Sequence, residues 1–230
     1  MGRINIKNNI EIERNVIEKY LIKIKDFSKA RSSIILYIFI AFIVILSLSI
    51  FGVWKYTNYK ASQLAKFEVI LENYEKNSKN DKDINKTTLK ELLEMSKARN
   101  FGFVDEMIPY MIGNLYFKEK DYKEAKNYLM KFIEKSDAPI FNALARLKMG
   151  ISMEELNDTK GALKVYLEME NRYGESEVID QVLFNIARIY MKDNNTEETS
   201  KYYNKLITQL PSSSFAEKAK KRLLLLGLKK

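Results

Sequence analysis

The sequence predicts an all-α protein in which a single N-terminal transmembrane helix precedes an α-solenoid of paired helices. Three observations predict this fold class. Residues 32–54 contain no charged side chain, the 230 residues contain only three prolines, and small and large side chains recur with a period of 37 residues between Gly113 and Tyr203. A long apolar helix can cross a bilayer, and a repeat period of about 20–50 residues is typical of stacked structural units.

Residues 1–31 precede the apolar segment and predict an amphipathic helix. Ile10, Ile17, Leu21 and Ile24 follow one another at spacings of seven, four and three residues, with Lys and Glu between them. Such a helix fits the cytoplasmic leaflet, where its lysines would meet anionic headgroups. It fits a plain cytoplasmic helix or a partner-binding arm equally well, and the sequence leaves both possibilities open.

Residues 32–54 form the predicted transmembrane signal-anchor helix. At about 1.5 Å per residue this helix is roughly 34 Å long, enough for a hydrocarbon core of about 30 Å. Tyr37, Trp54 and Tyr56 lie near its ends, as expected of side chains at the two membrane interfaces. A buried core helix would usually keep a polar stripe. A cleaved signal peptide would have a shorter apolar core and a small-x-small site, so we expect an uncleaved anchor.

Positive charge on either side of the anchor predicts its orientation. Residues 13–31 hold six Lys or Arg side chains, whereas residues 55–74 hold three. Lys and Arg resist translocation, so the flank with more of them stays in the cytoplasm. The N-terminus is therefore predicted to be cytoplasmic, and residues 55–230 are predicted to lie across the membrane.

The residue types exclude most common catalytic chemistry. The chain has no Cys and no His, and therefore no thiol nucleophile, no imidazole base and none of the usual zinc ligands. Acidic stretches beginning at Asp81 and Asp193 fail the calcium-loop pattern at positions 6 and 12. No glycine-rich phosphate loop or hydrolase elbow occurs. We expect no enzyme activity and no catalytic, cofactor or metal site.

The charges of residues 55–230 are those of a mixed, solvated surface. This region has 31 basic and 26 acidic residues, without the basic stripe or reader motif that nucleic-acid binding favours. We therefore expect protein partners, and neither nucleic acid nor a small-molecule substrate.

Four columns of side chains carry the 37-residue period. Small residues recur where two helices approach closely, and large residues lie four positions after the second small column, on the same helical face. Each period therefore predicts one pair of packed helices. The columns are Gly113, Gly150 and Ala187; Tyr116, Met153 and Tyr190; Ala125, Ala162 and Thr199; and Leu129, Tyr166 and Tyr203.

These columns resemble the tetratricopeptide repeat family, whose pattern runs from Gly through Tyr, Ala and an aromatic residue to Pro. The three copies read IGNLYFKEKDYKEAKNYL, MGISMEELNDTKGALKVY and IARIYMKDNNTEETSKYY, and only Pro211 matches the proline column. Thr88, Leu92 and Met95 mark a degenerate copy upstream. The resemblance predicts repeats at about 57–100, 106–139, 143–176 and 180–213 and a capping helix at 214–227.

The resemblance also implies a binding surface, the concave face lined by the first helix of each pair. Because the residues expected there are largely apolar and aromatic, they fit a hydrophobic partner segment or an unfolded chain better than a C-terminal carboxylate. Alternatively, about half of them pack against neighbouring helices and contact no partner. The expected residues are Tyr110, Asn114, Phe117, Leu147, Ile151, Glu154, Phe184, Arg188 and Met191.

The order of segments is similar to a narrower family as well. A short cytoplasmic segment, an anchor ending in FGVWKY, the stretch NYKASQLAKFEVILENYEK and the repeats are similar to YfgM-like ancillary subunits of the bacterial protein-export channel. The similarity covers residues 43–169. It implies a single-pass inner-membrane protein whose residues 55–230 form a periplasmic domain. The implied partners are translocon subunits, periplasmic chaperones or exported clients, besides the lipid bilayer. The alternative is an envelope-assembly scaffold that holds another membrane or periplasmic protein.

Overall fold

A computed structural model of the chain describes residues 16–27, 29, 31–79 and 83–227. All regular secondary structure within these ranges is α-helical, which confirms the predicted all-α fold class. Residues 16–27 are helical and are called α1; Ile10 of the amphipathic pattern lies outside the described residues. The later helices are α2 (Ser32–Asn77), α3 (Ile84–Lys97), α4 (Phe103–Lys118), α5 (Tyr122–Lys135), α6 (Pro139–Glu155), α7 (Thr159–Arg172), α8 (Ile179–Lys192), α9 (Thr196–Gln209) and α10 (Ser214–Leu225).

The chain divides into two compact units, Met1–Tyr59 and Lys60–Lys230. In the described part of the first unit every side chain assigned a burial class is exposed. The apolar part of α2 has a mean hydropathy of 3.0 over 18 residues, and it is long and apolar enough to cross a membrane. Length and composition alone make it a candidate span, because a signal sequence near an N-terminus meets the same criteria.

Helix α2 is longer than the sequence suggested. The predicted anchor ends at Trp54, whereas α2 continues from Ser32 to Asn77. The physical reason is the absence of helix breakers: residues 55–77 contain neither Gly nor Pro.

From α4 to α9 the second unit is a succession of helix pairs, each joined by a three-residue turn. The turns after α4, α6 and α8 repeat one geometry, because Lys120, Asn157 and Asn194 all have φ between 57° and 64°. This left-handed conformation ends the first helix, and Asn adopts it more readily than most residues. The next residue, Asp or Asn, then caps the second helix. The caps are Asp121, Asp158 and Asn195, whose side chains accept from the backbone N–H of Glu124, Gly161 and Glu198.

The repeat columns form the core of these pairs. A Cβ on Gly113 would lie 2.8 Å from Leu129 Cγ, and a Cβ on Gly150 would lie 2.4 Å from Tyr166 Cε1. Glycine is therefore required where these helices touch. The large-residue column, including Tyr203, is fully buried. Consequently the pairs α4–α5 and α6–α7 pack internally through the same type of contact. Thr88, Leu92 and Met95 of α3 are also buried.

Helix α10 covers the last pair, packing against α8 and α9. Its inward side chains are Ala216, Ala219 and Leu223, all buried, whereas Leu224 and Leu225 on its outer side are exposed. Burying the open face of the last repeat in this way is the role of a terminal cap in repeat proteins.

Candidate functional site

The nine residues expected on the concave face occupy equivalent positions on α4, α6 and α8. The structure buries Tyr110 and Leu147 and leaves the other seven half-buried. Tyr110 packs its ring 5.0 Å from that of Phe132 and 5.3 Å from that of Phe141. Tyr110 and Leu147 therefore contribute mainly to packing. We call the surface formed by the half-buried residues at these positions the inner face.

The aromatic residues of the inner face are held by their neighbours. The Phe117 ring lies 5.8 Å from the ring of Tyr122, across the turn that joins α4 to α5. The Phe184 ring lies 5.5 Å from Tyr203 and 5.4 Å from Phe215, so it contacts both α9 and α10. These rings are positioned by the fold and keep part of their surface accessible to a partner.

The two charged residues of the expected set bind each other. Arg188 Nη2 donates to both carboxylate oxygens of Glu154, each at 2.7 Å, and the Tyr166 hydroxyl donates to Glu154 Oε1 at 2.9 Å. Only 9 % of the Glu154 side chain is exposed. Burial and the nearby Glu154 carboxylate strongly raise the pKa of Tyr166. The Arg188 guanidinium and the Glu154 carboxylate are therefore already paired with each other, and this pair joins α6 to α8.

Lys148 is a feature of this face that the sequence interpretation missed. Its ammonium donates to Asn114 Oδ1 at 2.6 Å and lies 5.9 Å from the centre of the Tyr110 ring. Among the described residues it has no acidic partner. Burial lowers the pKa of Lys148, and the positive charge of Lys118 lowers it further. The 34-residue separation between Asn114 and Lys148, which equals that between Glu154 and Arg188, was the available sequence signal.

A cleft of about 680 Å³ opens beside the inner face. Ile140 and Leu144 of α6 line one side, and residues 171–178, which join α7 to α8, line the other. Leu144 lies seven positions before Ile151 of the inner face, about two turns along the same side of α6. The cleft therefore extends the apolar surface. It could not be read from the sequence, because the course of the 171–178 segment depends on tertiary contacts.

The polar groups that line this cleft all belong to the connecting segment, which supplies Asn171, Arg172, Glu175, Ser176 and Glu177. Another charged group lies close by. The Arg146 guanidinium lies 5.7 Å from the centre of the Tyr173 ring and 3.9 Å from Glu168. Within the described ranges no group of three or more Asp and Glu side chains is arranged to hold a metal ion. The chemistry available here is apolar contact on the α6 side and hydrogen-bonding and charged groups on the side of residues 171–178, which suits recognition of a polypeptide.

Comparison with protein families identifies the repeats. Tetratricopeptide repeat models match residues 110–134, 144–176 and 181–213. None of the curated proteins compared with the chain matches it significantly. The matched residues run from α4 to Ser213, the residue before α10. The chain thus contains tetratricopeptide repeats, and such repeats form scaffolds for protein–protein interaction, with extended concave surfaces that bind other chains.

Proposed function

We propose that this protein is a membrane-tethered repeat scaffold that binds polypeptides in the bacterial periplasm and assists exported proteins beside the translocon. The observation that carries the proposal is the inner face, where Phe117, Ile151, Phe184 and Met191 remain half-buried. Apolar residues of a core are normally buried completely, so an accessible row of them on a repeat scaffold fits a binding surface.

The inner face fits hydrophobic segments of varied sequence. Met191 has a flexible side chain that adapts to different shapes, and the rings of Phe117 and Phe184 supply fixed apolar contacts. Lys148 can donate to a backbone carbonyl of a bound segment, because Asn114 is its only hydrogen-bond partner among the described residues. Sparse polar contacts orient an extended chain without demanding one sequence, as a client-binding protein requires.

The apolar stretch at residues 32–54 supports tethering in the inner membrane. With the N-terminus in the cytoplasm, residues 55–230 form the periplasmic domain, and the anchor raises the effective concentration of the scaffold near emerging chains. Translocon subunits, periplasmic chaperones and exported clients are the proposed partners. Tyr37, Trp54 and Tyr56 are proposed to lie at the membrane interfaces.

A second candidate function is an envelope-assembly scaffold that holds one folded protein. The hydrogen-bonded group of Glu154, Arg188 and Tyr166 favours it, because a fully paired polar network gives a rigid surface. A rigid surface selects one complementary partner better than many unfolded chains.

Photocrosslinking in cells separates these functions. A photoreactive amino acid would replace Phe117, Ile151 or Met191 one at a time, and a control would replace Met130, which is exposed on α5. Export assistance predicts many crosslinked products, including channel subunits, from the three inner positions and few from position 130. One product of fixed size from all three positions would support the envelope-assembly scaffold. Equal crosslinking from position 130 would contradict a binding role for the inner face.

The proposed topology has its own test. A phosphatase that is active only in the periplasm, fused after Lys230, should be active, because the six positive charges at residues 13–31 outweigh the three at 55–74. The matched control is a fusion of a fluorescent protein that matures only in the cytoplasm. Fluorescence from that control, with an inactive phosphatase, would reverse the topology and remove the export function.

A further inference from the structure

We propose that residues 223–230 of one copy of this chain bind the cleft between α6 and residues 171–178 of a second copy. We call residues 223–230, which read LLLLGLKK, the leucine segment; its last three residues lie outside the described ranges. Both surfaces belong to the repeat unit, so the contact does not depend on the anchor, and it goes beyond the client binding proposed above. Because each copy offers one segment and one cleft, copies would join head to tail.

The first observation is a run of exposed leucines at the end of the terminal helix. Leu224, Leu225 and Leu226 are 57 %, 82 % and 41 % exposed, directly after the buried Leu223. The terminal unit of a repeat protein normally presents a polar outer face to water. Three consecutive exposed leucines depart from this rule and indicate a contact surface.

Positive charge is concentrated in the same part of the chain. Residues 55–213 carry 25 basic and 25 acidic residues, whereas residues 214–230 carry six basic residues and one acidic residue. Arg222 precedes the exposed leucines, and Lys229 and Lys230 follow them. The complementary surface for leucines between cations is an apolar wall beside carboxylates.

The cleft of about 680 Å³ has this composition. Ile140 and Leu144 form its apolar side, and Glu175 and Glu177 lie on the opposite side. Among the described residues neither carboxylate takes part in an ion pair or a hydrogen bond. Arg172, on the same side, offsets one of the two charges without pairing with either, so this wall stays negative. The chain therefore carries both halves of one complementary contact.

The leucine segment is held away from the cleft of its own chain. Ser213, which caps α10, donates through its hydroxyl to Asp180 at the start of α8, at 2.5 Å. Further along both helices, the Phe215 ring lies 5.4 Å from the Phe184 ring. Helix α10 therefore runs in the same direction as α8, away from the segment that precedes α8. Leu225 lies about 15 Å beyond Phe215 along the helix axis, so a second copy must supply the leucines that fill the cleft.

Disulfide formation between two full-length copies tests the proposal. Because the sequence contains no Cys, Leu225→Cys can be placed in one copy and Ile140→Cys in another, each with its own tag. In the matched control, Leu156→Cys replaces Ile140→Cys, because Leu156 is also exposed but lies at the other end of α6. The two copies would be reconstituted together into vesicles and oxidised. The measurement is the yield of the disulfide-linked dimer that carries both tags.

The expected result is a mixed dimer from positions 225 and 140 and little from positions 225 and 156. Reversing the charge of the cleft with Glu175→Lys and Glu177→Lys should lower the yield about tenfold, because repulsion replaces two partly exposed ion pairs. Adding Lys229→Glu and Lys230→Glu to the Leu225→Cys copy should restore the yield. Such recovery requires a folded cleft, so it separates loss of the contact from loss of the fold.

Four results would overturn the proposal. The first is equal yield from positions 140 and 156, or no mixed dimer at all. The second is a preference for dimers that join position 225 to position 225. The third is a disulfide within single copies that carry both cysteines, because it would assign the leucine segment to its own chain. The fourth is a mixed dimer that forms in detergent and is lost in vesicles, because it would assign the leucines to lipid.

The test is separate from the photocrosslinking of clients. If no mixed dimer forms while Phe117 and Ile151 positions still crosslink exported chains, the contact between copies fails and the proposed function stands. If the mixed dimer forms while those positions crosslink nothing, client binding fails and the contact between copies stands.

Discussion

The contact between α4 and α6 and the contact between α6 and α8 use residues separated by the same 34 positions, with different results. In the first, the Lys148 ammonium binds the neutral amide of Asn114. In the second, the Arg188 guanidinium binds the Glu154 carboxylate, which also accepts from the Tyr166 hydroxyl. One cation thus has a neutral partner and the other has a charged one.

This difference shows that two equivalent contacts of one repeated scaffold can have different roles: one stays able to bind a partner and the other keeps the scaffold rigid. Removing a partner from a buried ion pair leaves an uncompensated charge in a poorly solvated place, so the second contact should resist change. A half-buried lysine that binds only an amide retains capacity for another acceptor. We therefore expect the α4–α6 side of the inner face to exchange partners and the α6–α8 side to hold its shape.

The largest effect should follow loss of the cation in the α6–α8 contact. Arg188→Met leaves the Glu154 carboxylate largely buried with one remaining hydrogen bond, so the free energy of unfolding should fall by about 3 kcal/mol. This value is the lower end of the range for a buried ion pair, because the Arg188 side chain is partly exposed. The measurement is denaturant unfolding followed by circular dichroism at 222 nm, on detergent-solubilised protein.

Two controls accompany this variant. Lys148→Met removes the other cation and should change the same free energy by less than about 1 kcal/mol, because no buried acid is left unpaired. The double variant Glu154→Gln with Arg188→Met should recover part of the loss. Equal destabilisation by Arg188→Met and Lys148→Met would contradict the difference between the two contacts.

A smaller effect should follow from filling the glycine contacts within the pairs. Gly150→Ala places a methyl group 2.4 Å from the buried Tyr166 ring, whereas Gly113→Ala places one 2.8 Å from Leu129 Cγ. Overpacking a core costs about 1–3 kcal/mol. The loss should be larger at Gly150, because the Tyr166 hydroxyl is tied to Glu154 and its ring cannot shift freely. Thermal unfolding of the two variants should rank Gly150→Ala as less stable, and the opposite ranking would contradict this account.

Much of the fold could be predicted because its determinants are local or periodic. Glycine and alanine at 37-residue intervals mark the helix contacts by their small size alone. Tyr166 and Tyr203 were assigned to the large-residue column because they recur with the same spacing. The end of the anchor helix was predicted less well. Aromatic residues and charges mark a membrane boundary without ending a helix, so α2 runs on to Asn77.

The candidate site was less predictable, because side-chain pairing depends on three-dimensional contacts. The spacing pattern placed Tyr110 and Arg188 on one surface. It could not show that the rings of Phe132 and Phe141 pack against Tyr110, or that Arg188 forms an ion pair with Glu154. The pattern considered only the residues three positions before, one after and four after Gly113, Gly150 and Ala187, so Lys148, two positions before Gly150, was missed. Whether the inner face binds a partner stays a prediction.

The smallest effect concerns the dependence of stability on pH. The pKa of Lys148 is lowered in the folded chain, first by burial and then by Lys118, whereas in the unfolded chain it returns to its ordinary value. As pH rises through the folded pKa, the folded chain releases this proton before the unfolded chain does, and the folded state gains stability relative to the unfolded state. The penalty for burying the charged lysine is complete below the folded pKa and disappears above the ordinary lysine pKa.

The difference in melting temperature between the wild type and Lys148→Met, measured from pH 7 to pH 10.5, should therefore shift in favour of the wild type as pH rises. The matched control is Lys131→Met on the exposed side of α5, whose difference from the wild type should stay flat. A flat difference for Lys148→Met would mean that solvent already reaches its ammonium, which would contradict the account of Lys148 as a cation held in a poorly solvated place.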